Sequence, residues 1–211
     1  MLDLHAHTPI AYAGHNLNGA SCGVILLHGR GSSAEDILGL ADAFYDERIS
    51  FLAPQAANNT WYPNSFLAPV EQNEPWLSSA IAKVGSLIQR CVTAGIMRNR
   101  IVLCGFSQGA CLATESVVRH PTHYRALIAF TGGLIGPSDL GIHHEGSLAG
   151  TAALLSSGDP DPHVPWSRVE ASAIELERMG AHVELMRHPG RPHTILGQEL
   201  EAARSLIQSL L

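Results

Sequence analysis

Ile101-Val102-Leu103-Cys104-Gly105-Phe106-Ser107-Gln108-Gly109-Ala110-Cys111-Leu112 is the stretch from which the rest of this 211-residue chain is read. Its first half, Ile101 to Phe106, is a nearly continuous apolar run, the pattern of a strand buried on both faces. Its second half opens a helix over Gln108 to Arg119 that stops before Pro121. Ser107 therefore stands where a strand passes directly into a helix, with a glycine two residues away on either side. So sharp a turn strains the serine backbone, and side chains at 105 and 109 would collide with the neighbouring strand and helix. The bare Gly-x-Ser-x-Gly pattern is common in a chain with 20 glycines. Its place between strand and helix is what gives it meaning.

Outward from this turn, short apolar runs alternate with longer helical patterns, the sign of a mostly parallel sheet covered by helices on both faces. Strands are expected at Cys22 to His28, Ile49 to Ala53, Arg125 to Thr131, Thr151 to Ser157 and Ala181 to Arg187. Ser33, three residues before Asp36, caps a short helix over Ala34 to Phe44. From Trp76, the residues Leu77, Ala80, Ile81, Val84, Leu87, Ile88 and Cys91 recur at helical spacing, and Gly95 closes that helix. Further helices are expected over Trp166 to Met179 and Thr194 to Leu211, the last with Leu200, Ala203, Leu206, Ile207 and Leu210 on one face. The segments Pro54 to Pro75 and Gly132 to Gly150 lack a period and read as loops, the first long enough to wall a site. No domain break or internal repeat interrupts the pattern, so residues 1–211 read as one domain without a separate cap.

A serine hydroxyl is a poor nucleophile near neutrality and needs a histidine to take its proton and a carboxylate to orient that histidine. The α/β-hydrolase fold, which carries such elbows, places them in the order Ser, Asp, His. Asp159 and Asp161, in Ser157-Gly158-Asp159-Pro160-Asp161-Pro162, follow a strand in a turn, and either fits. Among the later histidines, His163 is too near the acids in sequence and His182 lies at a strand start. His193 in Pro189-Gly190-Arg191-Pro192-His193 is better placed than His188, because its loop lies between the last strand and the last helix. The developing oxyanion needs two donors: the N–H of Gln108, at a helix N-terminus, and the N–H of Arg30 in His28-Gly29-Arg30-Gly31. Trp61, Tyr62 and Phe66 are candidates for a substrate wall, since such sites are mostly apolar.

Taken together, His28-Gly29-Arg30-Gly31, Gly105-Phe106-Ser107-Gln108-Gly109, Gly158-Asp159-Pro160-Asp161-Pro162-His163-Val164-Pro165 and the late His193 resemble the phospholipase/carboxylesterase family that includes the acyl-protein thioesterases. The resemblance runs over nearly the whole chain. It implies that the second aspartate, Asp161, is the acid of the triad, and it implies hydrolysis of a small carboxylic ester or thioester without a cofactor. The chain departs from the usual family pattern in Ser32-Ser33-Ala34-Glu35-Asp36-Ile37, in Pro192 before the base, and in Trp61-Tyr62-Pro63. Those departures bear on acyl specificity, and the bacterial carboxylesterase branch looks nearer than the depalmitoylating one.

The net charge of −6 without a basic block disfavours nucleic acid and anionic lipid. No run approaches the length of a membrane span. Cys22, Cys91, Cys104 and Cys111 have no metal-ligand spacing and read as buried thiols. His5-x-His7 and His143-His144 lack the further ligands of a zinc site, so no metal is expected. The N-terminus has no secretory pattern, which points to the cytoplasm. A monomer or homodimer is expected. The alternatives are a dienelactone-type hydrolase, in which a thiol replaces the serine, and a non-catalytic binding module on the same fold.

Overall fold

The computed structural model describes residues 3–137 and 143–208. Seven strands form one sheet: β1 (Ile10–Gly14), β2 (Cys22–Leu27), β3 (Ile49–Pro54), β4 (Ile101–Phe106), β5 (Ala126–Phe130), β6 (Ala152–Asp159) and β7 (His182–Pro189). Their spatial order is β1-β3-β2-β4-β5-β6-β7. Only β1 is antiparallel to its neighbour, β3; every other pairing is parallel. The helices are α1 (Ala34–Leu38), α2 (Leu40–Ala43), α3 (Trp76–Thr93), α4 (Gln108–Arg119), α5 (Trp166–Arg178) and α6 (Gly197–Gln208).

The continuous apolar runs divide between two cores because successive strand side chains point to opposite faces. Ile25 and Leu27 of β2, Leu103 of β4 and Leu127 and Ala129 of β5 pack with α3, α4 and α5. Val24 and Leu26, Val102 and Cys104, and Ala126, Ile128 and Phe130 pack on the other face with α1, α2 and α6. Burying each large aliphatic side chain contributes about 1.5–3 kcal/mol, so the central strands hold the frame on which the loops at their C-terminal ends rest.

Three expectations differ from the structure. The short helix over 34–44 breaks into α1 and α2 at Gly39, although Ser33 makes the full capping box with Asp36. The final helix begins at Gly197 rather than Thr194, since the residues before it serve a loop described below, and Leu210 lies outside the described residues. β1 was not foreseen: it is a half-exposed edge strand of five residues whose pairing partner comes later in the chain. As expected, Gly95 closes α3. At φ +96° it donates its N–H to Val92, while Ile96 donates to Cys91, the paired bonds of a Schellman motif. No helix among the described residues is long and apolar enough to cross a membrane.

Candidate active site

Ser107 sits at the C-terminal end of β4 with φ 55° and ψ −119°, a strained conformation for a residue with a side chain. Its N–H donates to the Phe130 carbonyl at 2.9 Å and its carbonyl accepts from Cys111 at 3.0 Å. The two glycines are required by close backbone approach: a Cβ on Gly105 would lie 2.3 Å from the Gly109 oxygen, and one on Gly109 would lie 2.0 Å from the Leu27 oxygen. The elbow thus packs α4 against β2 and β4 and leaves the serine hydroxyl standing clear.

The Ser107 Oγ is 2.9 Å from His193 Nε2, and His193 Nδ1 is 2.9 Å from Asp161 Oδ2. With the ring proton on Nδ1, His193 donates to the carboxylate and accepts from the hydroxyl. The other carboxylate oxygen of Asp161 accepts from the N–H groups of His163 and Val164 at 2.9 and 3.0 Å. Burial pushes this carboxyl up, but the hydrogen bonds from His193 and the two backbone N–H groups outweigh it, and the net direction is down. Asp161 is therefore held ionised. Asp159 is instead paired with Arg187, whose guanidinium lies over Trp166. His188 accepts from Gln198 Nε2, away from the serine.

A cavity of about 510 Å³ opens at this point, lined by Arg30, Tyr62, Phe66, Phe106, His163 and Val164 among others, together with Ser107 and His193. A larger open groove, about 720 Å³ along β1 and α3, contains none of these chemical groups. Of the three residues read as candidates for a substrate wall, Tyr62 and Phe66 line the cavity. Trp61 does not. It is fully buried, its Nε1–H donates to the His28 carbonyl at 2.9 Å, and its ring packs between His5 and His28. Its polar edge needed a partner in the interior, and the loop carrying residues 28–31 supplied one.

A family described as phospholipase/carboxylesterase matches residues 18–211. The chain belongs to this family. A solved phospholipase/carboxylesterase structure from Dyadobacter fermentans is 44% identical, with a TM-score of 0.90 over 95% of this chain and 96% of that one. Acyl-protein thioesterase 1 of Gibberella zeae is 26% identical over 60% of this chain and 54% of its own length. The structure of Arabidopsis thaliana SOBER1, 22% identical and matched over 89% of this chain and 98% of that one at a TM-score of 0.72, shares the fold. The fold is that of the α/β-hydrolases. Several curated relatives from rice, Arabidopsis and Gibberella are matched over only 52–61% of their length, so the chain spans little more than half of them.

The serine elbow faces the glycine loop of residues 28–31 across the cavity. Among the described residues, no acceptor takes the main-chain N–H of Arg30 or of Gln108. The Gln108 side chain is fully engaged: Oε1 accepts from Trp61 N–H at 3.0 Å and Nε2 donates to the Tyr62 carbonyl at 2.8 Å. It fixes the start of the cavity wall. His28 supports the facing loop from inside, its Nδ1 2.8 Å from the Gly29 carbonyl and its Nε2 accepting from Ala56 N–H at 3.1 Å.

A buried network beneath His193 escaped the sequence reading. Arg191 donates to Glu199 Oε2 at 3.2 Å and to Thr131 Oγ1 at 2.6 Å, and both charged side chains are 2% exposed or less. Glu199 also accepts from Leu196 N–H at 2.7 Å and from the Ser156 hydroxyl. The guanidinium thus ties the loop that carries His193 to the residue after Phe130, whose carbonyl holds the Ser107 N–H. One readable signal was available: Glu199, Ala203 and Ile207 share one helix face at four-residue spacing, so the glutamate sits on the buried stripe.

Cys104 and Cys111 flank the elbow, and Cys111 lines the cavity. Burial pushes both thiols up, that of Cys111 to about 12, so neither is a thiolate near neutrality. His5, read with His7 as a metal-ligand pair to be discounted, is buried, and its ring is occupied by the Trp61 carbonyl and the Ala57 N–H. His7 is exposed.

Proposed function

We propose that this chain hydrolyses small carboxylic esters or thioesters by acyl transfer through Ser107. What carries the proposal is the unbroken hydrogen-bonded line from Ser107 Oγ through His193 to Asp161 at the lip of the cavity, in a chain of the phospholipase/carboxylesterase family. In the first step His193 Nε2 takes the hydroxyl proton as Oγ bonds to the scissile carbonyl carbon. The resulting oxyanion is held by the N–H groups of Arg30 and Gln108, each donor lowering the barrier by roughly 3 kcal/mol in comparable sites. Asp161 keeps the imidazole in the Nδ1–H tautomer and stabilises the imidazolium. The imidazolium then protonates the leaving alcohol or thiol. Water attacks the acyl-serine by the reverse sequence, releasing the acid and restoring Ser107.

A fluorophosphonate probe tests this directly. The expected result is one adduct per chain on the wild-type protein, none on Ser107→Ala, and loss of p-nitrophenyl ester turnover in the same variant. Equal labelling of the two proteins, or undiminished turnover in Ser107→Ala, would overturn the assignment.

A further inference from the structure

The charge of the cavity is opposite to that of the chain. The protein carries a net charge of −6, yet among the described residues no aspartate or glutamate lines the cavity, and Arg30 is the one permanent cation among them that does. Its guanidinium is fixed in place: Nη1 donates to the Pro63 carbonyl at 2.7 Å, Nη2 to the Asn64 carbonyl at 2.6 Å, and Cζ lies 5.9 Å from the centre of the Tyr62 ring. A guanidinium has five N–H donors in a rigid fork, so most remain uncommitted. None of the ion pairs among the described residues involves Arg30. Of the two acids nearest to it in sequence, Glu35 does not line the cavity and Asp36 is turned onto Ser32 and Ser33 as a helix cap. His163, exposed and edge-on to His193 with ring centroids 4.9 Å apart, adds a second nitrogen donor to the same cavity.

A held cation with open donors beside an ester-cleaving serine has a chemical consequence, because a preorganised fork loses little freedom when an oxyanion binds to it. We propose that the ester turned over here carries a second, anionic group, a carboxylate or a phosphate, which Arg30 receives while the scissile carbonyl lies against Ser107. The proposal rests on the acyl-transfer reading above and specifies its substrate class.

Matched ester pairs separate the two. On the acyl side, 4-nitrophenyl hydrogen glutarate is compared with 4-nitrophenyl pentanoate. On the leaving-group side, carboxymethyl butanoate is compared with propyl butanoate by titration of released acid. The wild-type kcat/KM should favour the anionic member of at least one pair by roughly fivefold or more, and the preference should shrink as salt is raised. Arg30→Met, which keeps the main-chain N–H, should bring the ratio toward one, and Arg30→Lys should retain part of it. Competition by glutarate against inorganic phosphate distinguishes the two anion sources. A wild-type ratio at or below one in both pairs overturns the proposal, as does a preference that Arg30→Met leaves intact. Hydrolysis of the neutral esters with no anionic preference leaves the acyl-transfer reading standing, whereas failure to turn over any ester removes both. The wild-type ratio and its salt dependence need no variant, so a misfolded Arg30→Met does not rescue the idea.

Discussion

Asp159 and Asp161 lie two residues apart in one turn, and their surroundings give them different chemistry. Residue spacing alone left both open as the acid, because Asp159 ends β6 and Asp161 lies just beyond it in the same Pro-rich turn. The difference is that Asp161 faces inward, where His193 and two backbone N–H groups converge on it, while Asp159 faces Arg187 at the surface. On the proposed mechanism Asp161→Asn lowers kcat by about 10³–10⁴ with KM little changed, since the amide favours the wrong imidazole tautomer; steady-state kinetics on a p-nitrophenyl ester reads this. The same residue links stability to pH. Its carboxyl is held below the ordinary 3.8, so its contribution is complete above that value and is lost as pH falls through the lower folded value. Wild type and Asp161→Asn should therefore converge in urea midpoint toward the acid end of the range. A gap that widens there would contradict the direction of the shift.

At the scale of elements, the elbow was legible because its constraints are local: strand, serine, helix and two glycines all lie within one short stretch. The loop from Gly190 to Leu196 was not, because what holds it comes from the residue after β5, from β6 and from α6, brought together only by the sheet order. Trp61 was misjudged for the same reason: an aromatic in a long loop reads as a wall, and its indole proton found a buried carbonyl. Arg191 gives this level its own prediction. Removing one partner of a buried ion pair costs about 3–5 kcal/mol, so Arg191→Met should lower the melting temperature. A double variant, Arg191→Met with Glu199→Met, leaves no unpaired charge and should recover much of that loss. If Arg191 positions the His193 loop against the elbow through Thr131, the double variant stays slow, with kcat depressed and KM near wild type. Recovery of kcat along with stability would reduce the pair to a purely structural role.

Across the whole molecule, the parallel sheet and its two cores follow from apolar runs that need no partner to be recognised, whereas the order of strands and the antiparallel β1 depend on pairings distant in sequence. The N-terminal segment reaches the site by the same long-range route. His5 bonds to the Trp61 carbonyl and the Ala57 N–H, Trp61 bonds to the His28 carbonyl, and His28 bonds to Gly29 and Ala56. Two buried imidazoles thus join the residues before β1 to the loop carrying the Arg30 N–H. Burial lowers both from the ordinary 6.5, more than their backbone hydrogen bonds raise them. Above that value both are neutral in the folded and unfolded chain, and the network contributes in full. Below it the unfolded chain takes up protons that the folded one refuses, so stability falls as pH drops, each group adding a slope of at most about 1.4 kcal/mol per pH unit. Urea unfolding from about pH 8 to about pH 5 should show this decline. A His5→Gln, His28→Gln double variant, less stable at the upper end, should lose stability less steeply below it; parallel slopes in the two proteins would show that the acid sensitivity arises elsewhere.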